Sequence, residues 1–274
     1  MRTLSQLVVL ITACTFVFAS CSGDEKGAKR YLSQAEESLR NGNYDLAKLK
    51  IDSIRILFPK AYNEIKSGMA LMQDVRMAEN KRNIAFCDSM LRVNYALLNE
   101  MLENFNYVRD ERYQEFGEYQ PKSYPFSASL NQNGLRAGVT EQGRLFLESI
   151  LVGTALKHHK IHVSTKEGSF AESQSVTSDG LNYSFRTSER NYEIVRFTGD
   201  DENGVGKFIY SFQNEPLTLQ FIGNRNISVH MSSPSKKAIA QSFELSSLLL
   251  DIEQLKFEKE KSEILIRYLE SRKN

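Results

Sequence analysis

Three of the four histidines crowd into one short stretch: His158, His159 and His162. Imidazole is a favoured zinc ligand. In a strand, His158 and His162 share a face but stand about 13 Å apart at 3.3 Å per residue, too far for one ion. In a helix they would be adjacent, but Lys157 and Lys160 flank them and repel a cation. The cluster is therefore expected to be an exposed basic strand end. Asp200-Asp201-Glu202-Asn203-Gly204 offers several oxygens in one loop. Calcium takes six to eight oxygen ligands in a defined spacing that this run does not match, so an acidic hairpin tip is expected. Gly204-Val205-Gly206-Lys207 lacks the leading Gly and the Ser/Thr of a phosphate loop and reads as a hairpin turn. The chain has no Gly-x-Ser-x-Gly, His-Glu-x-x-His or Cys-x-x-Cys run. Sugar sites favour flat aromatic platforms. With no Trp, only Tyr183, Tyr192 and Tyr210 stand out for that role, and strand alternation predicts some of them inside. An enzyme would need a pocket joining His230 or His162 to a carboxylate and a hydroxyl. The expectation is no catalytic residue, no metal and no cofactor.

The elements that would position these residues fall into two kinds. Residues 122–233 hold short β-rich segments between turn signals: Leu145–Val152, Ile161–Ser164, Leu181–Arg186, Tyr192–Phe197, Lys207–Phe212, Leu217–Ile222 and Ile227–Met231. Tyr183/Phe185, Phe208/Tyr210/Phe212 and Leu217/Leu219/Phe221 alternate, so each set is expected to line one buried surface. The turns are Asn131–Gly134, Ser178-Asp179-Gly180, Gly199–Gly204, Asn214-Glu215-Pro216 and Gly223–Asn226. Seven to nine strands at this spacing predict an antiparallel sandwich or barrel. Gln142–Ala155 also fits a helix through Leu145, Ser149 and Val152; strand is preferred.

On either side the period changes. Tyr62 to about Gln114 contains no Pro, with one apolar set at Ile65, Met69, Met72 and Val75. A second, at Cys87, Leu91, Asn94, Leu98, Met101, Phe105 and Val108, alternates steps of four and three, the spacing of a helical seam. From Ser235 on, Leu245, Leu248, Ile252, Leu255, Ile266 and Leu269 repeat the spacing, with Lys259 and Ser262 interrupting it. The fold class expected is α+β. An N-terminal helical hairpin precedes long N- and C-terminal helices that pair as an antiparallel coiled coil, with the β-sandwich or barrel inserted between them. The seam residues are core, and heptads of this kind also permit homo-oligomers.

Between Ala28 and Pro59 the helical pattern breaks at Asn41-Gly42-Asn43. Gly42, Tyr44, Ala47, Ile51, Ile54 and Pro59, with Tyr31 and Ala35, stand in the order and spacing of the tetratricopeptide repeat, which residues 28–59 resemble. Gly42 permits the turn, Ala35 and Ala47 let two helices approach, and Pro59 ends the second helix. Thirty-four residues on, Arg76, Ala78, Lys81 and Val93 break the pattern, so one unit is expected, without a superhelical groove.

At the N-terminus, an apolar run from Leu7 to Phe18 precedes Ala19-Ser20-Cys21. It is too short to span a bilayer. Small residues before a cysteine after such a run resemble the signal of bacterial lipoproteins. The resemblance implies cleavage before Cys21 and acylation of its thiol. Cys14, after Ile11-Thr12-Ala13, is the weaker alternative because its apolar segment would be very short. Ser22, where Asp would signal inner-membrane retention, implies an outer-membrane address, with the periplasmic face or the cell surface left open. Gly23-Asp24-Glu25-Lys26 resembles the export tag of surface-displayed lipoproteins and equally reads as a solvated linker.

Of three cysteines, Cys87 would then remain alone, expected as a buried structural thiol on an apolar helical face. The formal net charge of +1 gives no bulk field for nucleic acid. The organisation expected is a signal peptide at 1–20, a lipid-anchored linker at 21–27, a helical base and stalk at 28–117, a β-sandwich head at 118–233 and a C-terminal stalk helix at 234–272. The function expected is that of a non-catalytic envelope scaffold or accessory subunit that meets the membrane through Cys21 and other envelope proteins through its helices or head. A surface protein binding a glycan or other ligand is the alternative, and it calls for an exposed Tyr or Asn/Asp cluster.

Overall fold

The computed structural model describes residues 24–153, 155–177, 182–188 and 190–272. Cys14, Cys21, the signal peptide expected at 1–20 and the turn expected at Ser178-Asp179-Gly180 lie outside them. The chain combines helices with two antiparallel sheets and divides into two compact units, one of residues 1–89 and 256–274, the other of 90–255.

The first unit is helical. Helix α1 occupies 24–40, so Asp24 to Gly27 belong to it rather than to a free linker. Helix α2, Tyr44–Leu57, follows a turn in which Gly42 adopts φ 70°, a conformation costly for any residue with a Cβ. Ala35 and Ala47 are fully buried and pack with Ile51 and Val75, the last from α3, Tyr62–Leu102. A Cβ on Gly68 would lie 3.3 Å from the Ile51 side chain, so its smallness lets α3 approach α2. Cys87 is buried as expected, and burial pushes its thiol above the ordinary range. The two residues that interrupt the C-terminal seam are matched by polar partners here. Asn83 donates to Ser262 Oγ at 2.7 Å, and Lys259 reaches Asp88 at 2.6 Å.

The second unit carries ten strands among the described residues. They are β1 (Phe105–Val108), β2 (Glu118–Pro121), β3 (Gly134–Thr140), β4 (Leu145–Val152), β5 (Lys160–Thr165), β6 (Phe170–Glu172), β7 (Tyr183–Arg186), β8 (Asn191–Thr198), β9 (Leu217–Ile222) and β10 (Asn226–His230). One sheet has the order β1-β2-β3-β4-β8-β7, the other β10-β9-β5-β6. Residues 142–155 contain strand β4, as preferred from the sequence. Inward residues of both sheets, among them Leu147, Leu151, Phe197, Ile161, Leu219 and Phe221, share one hydrophobic core with Ile239 of α6, Ser233–Ser271.

Four expectations are corrected. The helix expected to run to about Gln114 stops at Leu102, and Phe105 and Val108 lie in β1, paired with β2. Phe105 is instead buried against Val139 and Leu245, and the Tyr107 and Tyr119 rings pack across the two strands. Lys207–Phe212 is not a strand: Val205–Ser211 forms helix α5. Val205, Phe208, Ile209 and Phe212 sit at i, i+3, i+4 and i+7, so the helical period competed with the alternation and prevailed. Gly204, at φ 79°, opens α5 instead of making a hairpin turn, and Glu202 accepts the N–H groups of Gly204 and Gly206 there. Tyr183 and Phe185 do not line a buried surface; they are 49% and 40% exposed.

The face of β3, β4 and β8 turned away from this core holds a charge network. Arg136, Glu148 and Arg196 are direct cross-strand neighbours. Glu148 takes Arg136 at 2.6 Å on one oxygen and Arg196 at 2.7 Å on the other, and Arg196 also reaches Glu118 at 2.6 Å. The guanidiniums lie 4.0 Å from the Phe126 ring and 3.9 Å from the Phe146 ring. Phe146 in turn covers Gly138, where a Cβ would fall 2.4 Å from the ring. Pairing and aromatic cover satisfy charges that would be costly alone.

Candidate functional site

Ser149 and Glu193 occupy core-facing positions of β4 and β8, where an unpartnered polar group is expensive. Both are satisfied by one histidine. His158 is not the exposed strand end expected from its lysine neighbours; it is 4% exposed, with its ring edge-on to Phe221. Its Nδ1 lies 2.8 Å from Glu193 Oε2 and its Nε2 2.7 Å from Ser149 Oγ. A hydroxyl, an imidazole and a carboxylate thus align in the order used by serine hydrolases.

The carboxylate does more than orient the ring. Glu193 also accepts the backbone N–H groups of Leu156 (2.6 Å), Lys157 (2.7 Å) and His158 (3.1 Å). Successive N–H groups turned to one side form an anion-binding concavity, filled here by a side chain of the protein itself. The turn requires Lys157 at φ 51°, the left-handed region that a lysine rarely adopts. Gly223 closes the back of this loop, since a Cβ there would come within 2.6 Å of the Leu156 carbonyl. Burial by itself would raise the Glu193 carboxyl. The His158 bond and the three backbone donors outweigh it and hold the group at about 2.

With Glu193 ionised, His158 Nδ1 carries the proton, and Nε2 accepts from the Ser149 hydroxyl. If the ring gains a second proton, Ser149 accepts from it and turns its own hydrogen to the Val195 carbonyl, 3.3 Å away. Either charge state is satisfied. Ser149 itself is fully buried in the middle of a central strand, in register with Leu135 and Val195.

Beside this array lies a cavity of about 470 Å³ lined by Lys157, His158, His159, Tyr183, Ser184 and Glu193, with Val176 and Val195 supplying apolar surface. Ser149 is not among its lining residues. At the sheet edge, Tyr183, Phe185 and Tyr192 form a ladder of rings, with centroids 6.1 Å and 4.7 Å apart and planes 19° and 6° from parallel.

The other residues singled out from sequence are placed elsewhere. His162 stacks on Phe170 at 4.9 Å and faces Glu172 at 3.5 Å, while His230 ends the edge strand β10. Neither joins a carboxylate and a hydroxyl in a pocket. Asp200 and Asp201 lie in a short 3-10 turn, and Glu202 is spent on α5. Tyr210 packs on Phe243. Among the described residues no group of three or more His, Cys, Asp or Glu could hold a metal, and no helix is long and apolar enough to cross a membrane. Sequence reasoning missed Ser149 and Glu193. The available signal was their polarity at inward positions of apolar strands.

No protein-family model, curated protein or solved structure matches the chain.

Proposed function

We propose that the protein is a non-catalytic, lipid-anchored envelope protein that acts as a scaffold or accessory subunit of an outer-membrane assembly. The observation that carries the interaction role is the outward face of α2. Leu46, Leu49, Ile56 and Leu57 are 38%, 61%, 71% and 54% exposed, opposite the buried Ala47, Ile51 and Ile54. A helix apolar on two faces has one face left for a partner. The anchor rests on the Cys21 signal and the outer-membrane address on Ser22. The single tetratricopeptide-like unit is the segment that would present this face.

We also read the two sheets as a β-sandwich, on the strength of their shared core, and α3 with α6 as an antiparallel coiled coil. Asn83–Ser262 and Asp88–Lys259 support the second reading, because numbers rise along one helix as they fall along the other. The non-catalytic reading is supported by the burial of Ser149: a nucleophile with no exposed surface cannot meet a substrate carbonyl.

Pull-down of the lipidated protein from mild detergent, with mass spectrometry of co-purifying chains, tests the role. Stoichiometric envelope proteins are expected, and their loss with Leu49→Glu/Ile56→Glu would locate the contact. A solitary protein would overturn the scaffold. One observation favours the alternative of a surface glycan- or ligand-binding protein: the ladder of exposed Tyr183 and Phe185 with half-buried Tyr192, since ring faces stack on sugars. A glycan array with Phe185→Ala as the control variant decides it.

A further inference from the structure

We propose that the cavity beside residues 156–158 binds a small organic anion, a carboxylate or phosphate ester on an apolar body, through the Lys157 ammonium and the His159 ring. The volume of about 470 Å³ is that of a small-molecule site. Its chemistry follows from which polar groups are still uncommitted. Glu193 is saturated by four donors, and both nitrogens of His158 are engaged. Among the described residues, the Lys157 ammonium, the His159 ring and the Ser184 hydroxyl remain without partners, so the cavity offers donors and the lysine charge, beside a Glu193 carboxylate whose own charge is taken up by its four donors. The ligand's body would meet Val176 and Val195.

Backbone strain points to the same residue. Among the described residues, two non-glycines have positive φ, Asn203 and Lys157. Asparagine tolerates that region, whereas lysine does not. Glycine at 157 would satisfy the Glu193 clamp at less cost, because the clamp uses only the backbone N–H. What glycine lacks is the side chain that Lys157 brings to the cavity's lining. Of the aromatic ladder only Tyr183 borders the cavity, Phe185 and Tyr192 lying outside its lining, and the proposal holds whether or not the scaffold reading does.

The four histidines make the test local. The full chain, with isotope-labelled histidine, is titrated by NMR with benzoate, phenyl phosphate, inorganic phosphate and benzyl alcohol. Saturable shifts of the His159 and His158 rings by benzoate or phenyl phosphate are expected, with His162 and His230 unmoved. Whichever of the two binds more tightly assigns carboxylate or phosphate. Lys157→Gly and His159→Gln should each weaken binding about tenfold, the loss of one charge-assisted contact. An unchanged His158 signal in these variants shows that the loop is intact. The proposal is overturned if no probe moves His159, if all four rings shift alike, if benzyl alcohol binds as well as benzoate, if inorganic phosphate matches phenyl phosphate, or if both variants bind like the parent.

Discussion

Glu193→Gln isolates the clamp at the centre of the second unit. The carboxylate accepts from His158 Nδ1 and from three consecutive backbone N–H groups, and the residue is 6% exposed. An amide keeps the shape but turns one acceptor oxygen into a donor facing donors. The group is held at about 2 against an ordinary 4.5. At 1.36 kcal/mol per pH unit the ionised form therefore contributes about 3 kcal/mol to folding. The sign follows from the depression. The contribution is fully present above the unfolded carboxyl's value near 4.5 and is lost as pH falls towards 2. Urea unfolding of parent and variant should differ by about 3 kcal/mol at pH 7 and converge between pH 4.5 and pH 2, as the parent's carboxyl takes up a proton. A difference that stays constant from pH 7 to pH 3, or one below about 0.5 kcal/mol at pH 7, would refute the clamp.

Three further perturbations probe neighbouring parts of the argument. Glu148→Gln leaves Arg136 and Arg196 without the carboxylate that bridges them, and should cost about 3–5 kcal/mol in urea unfolding, the range for breaking a buried ion pair. Gly223→Ala drives a Cβ into the backbone of 156–158 and should cost about 1–3 kcal/mol, with the His158 ring resonance displaced because the loop must move. Ser149→Ala should cost about 1–2 kcal/mol through the lost bond to His158, and a fluorophosphonate probe should leave the intact mass of the parent unchanged. Labelling at Ser149 would overturn the non-catalytic reading.

The strands that could be read from the sequence were those whose alternation had no competitor. In Leu217/Leu219/Phe221 every inward residue is buried and every outward one is half-buried. The reading failed where two periods overlapped. Phe208 and Phe212 satisfy both alternation and the helical i, i+4 step, and the segment folds as helix with Val205 and Ile209 buried. It failed again at Phe105 and Val108, whose seam spacing continued although Asn104 and Asn106 favour leaving a helix. Pairing with β2, a long-range event, decided that segment. For Tyr183 and Phe185 alternation was correct and burial was not, because β7 is an edge strand with no layer over its aromatic side. Alternation tells which residues share a face but not whether that face is covered.

The array of Ser149, His158 and Glu193 shows why three side chains in order do not make a catalyst. A serine hydrolase uses the carboxylate to orient the imidazole and the imidazole to activate a hydroxyl that a substrate can reach. Here the carboxylate is committed first to a backbone turn. Three of its four bonds fix the path of residues 156–158, and the fourth fixes the ring. The hydroxyl at the far end lies under the sheet, where its work is to satisfy Nε2 against the core. The direction of constraint therefore runs from the core outward, through the ring and the carboxylate, to the strained turn at Lys157. What lines the cavity is not the nucleophile but Lys157, at this turn, and His159. If the protein does chemistry or recognition at this end of the sheets, charge at Lys157 and His159 is the available means, and variants there should change ligand binding while Ser149→Ala leaves it unaltered.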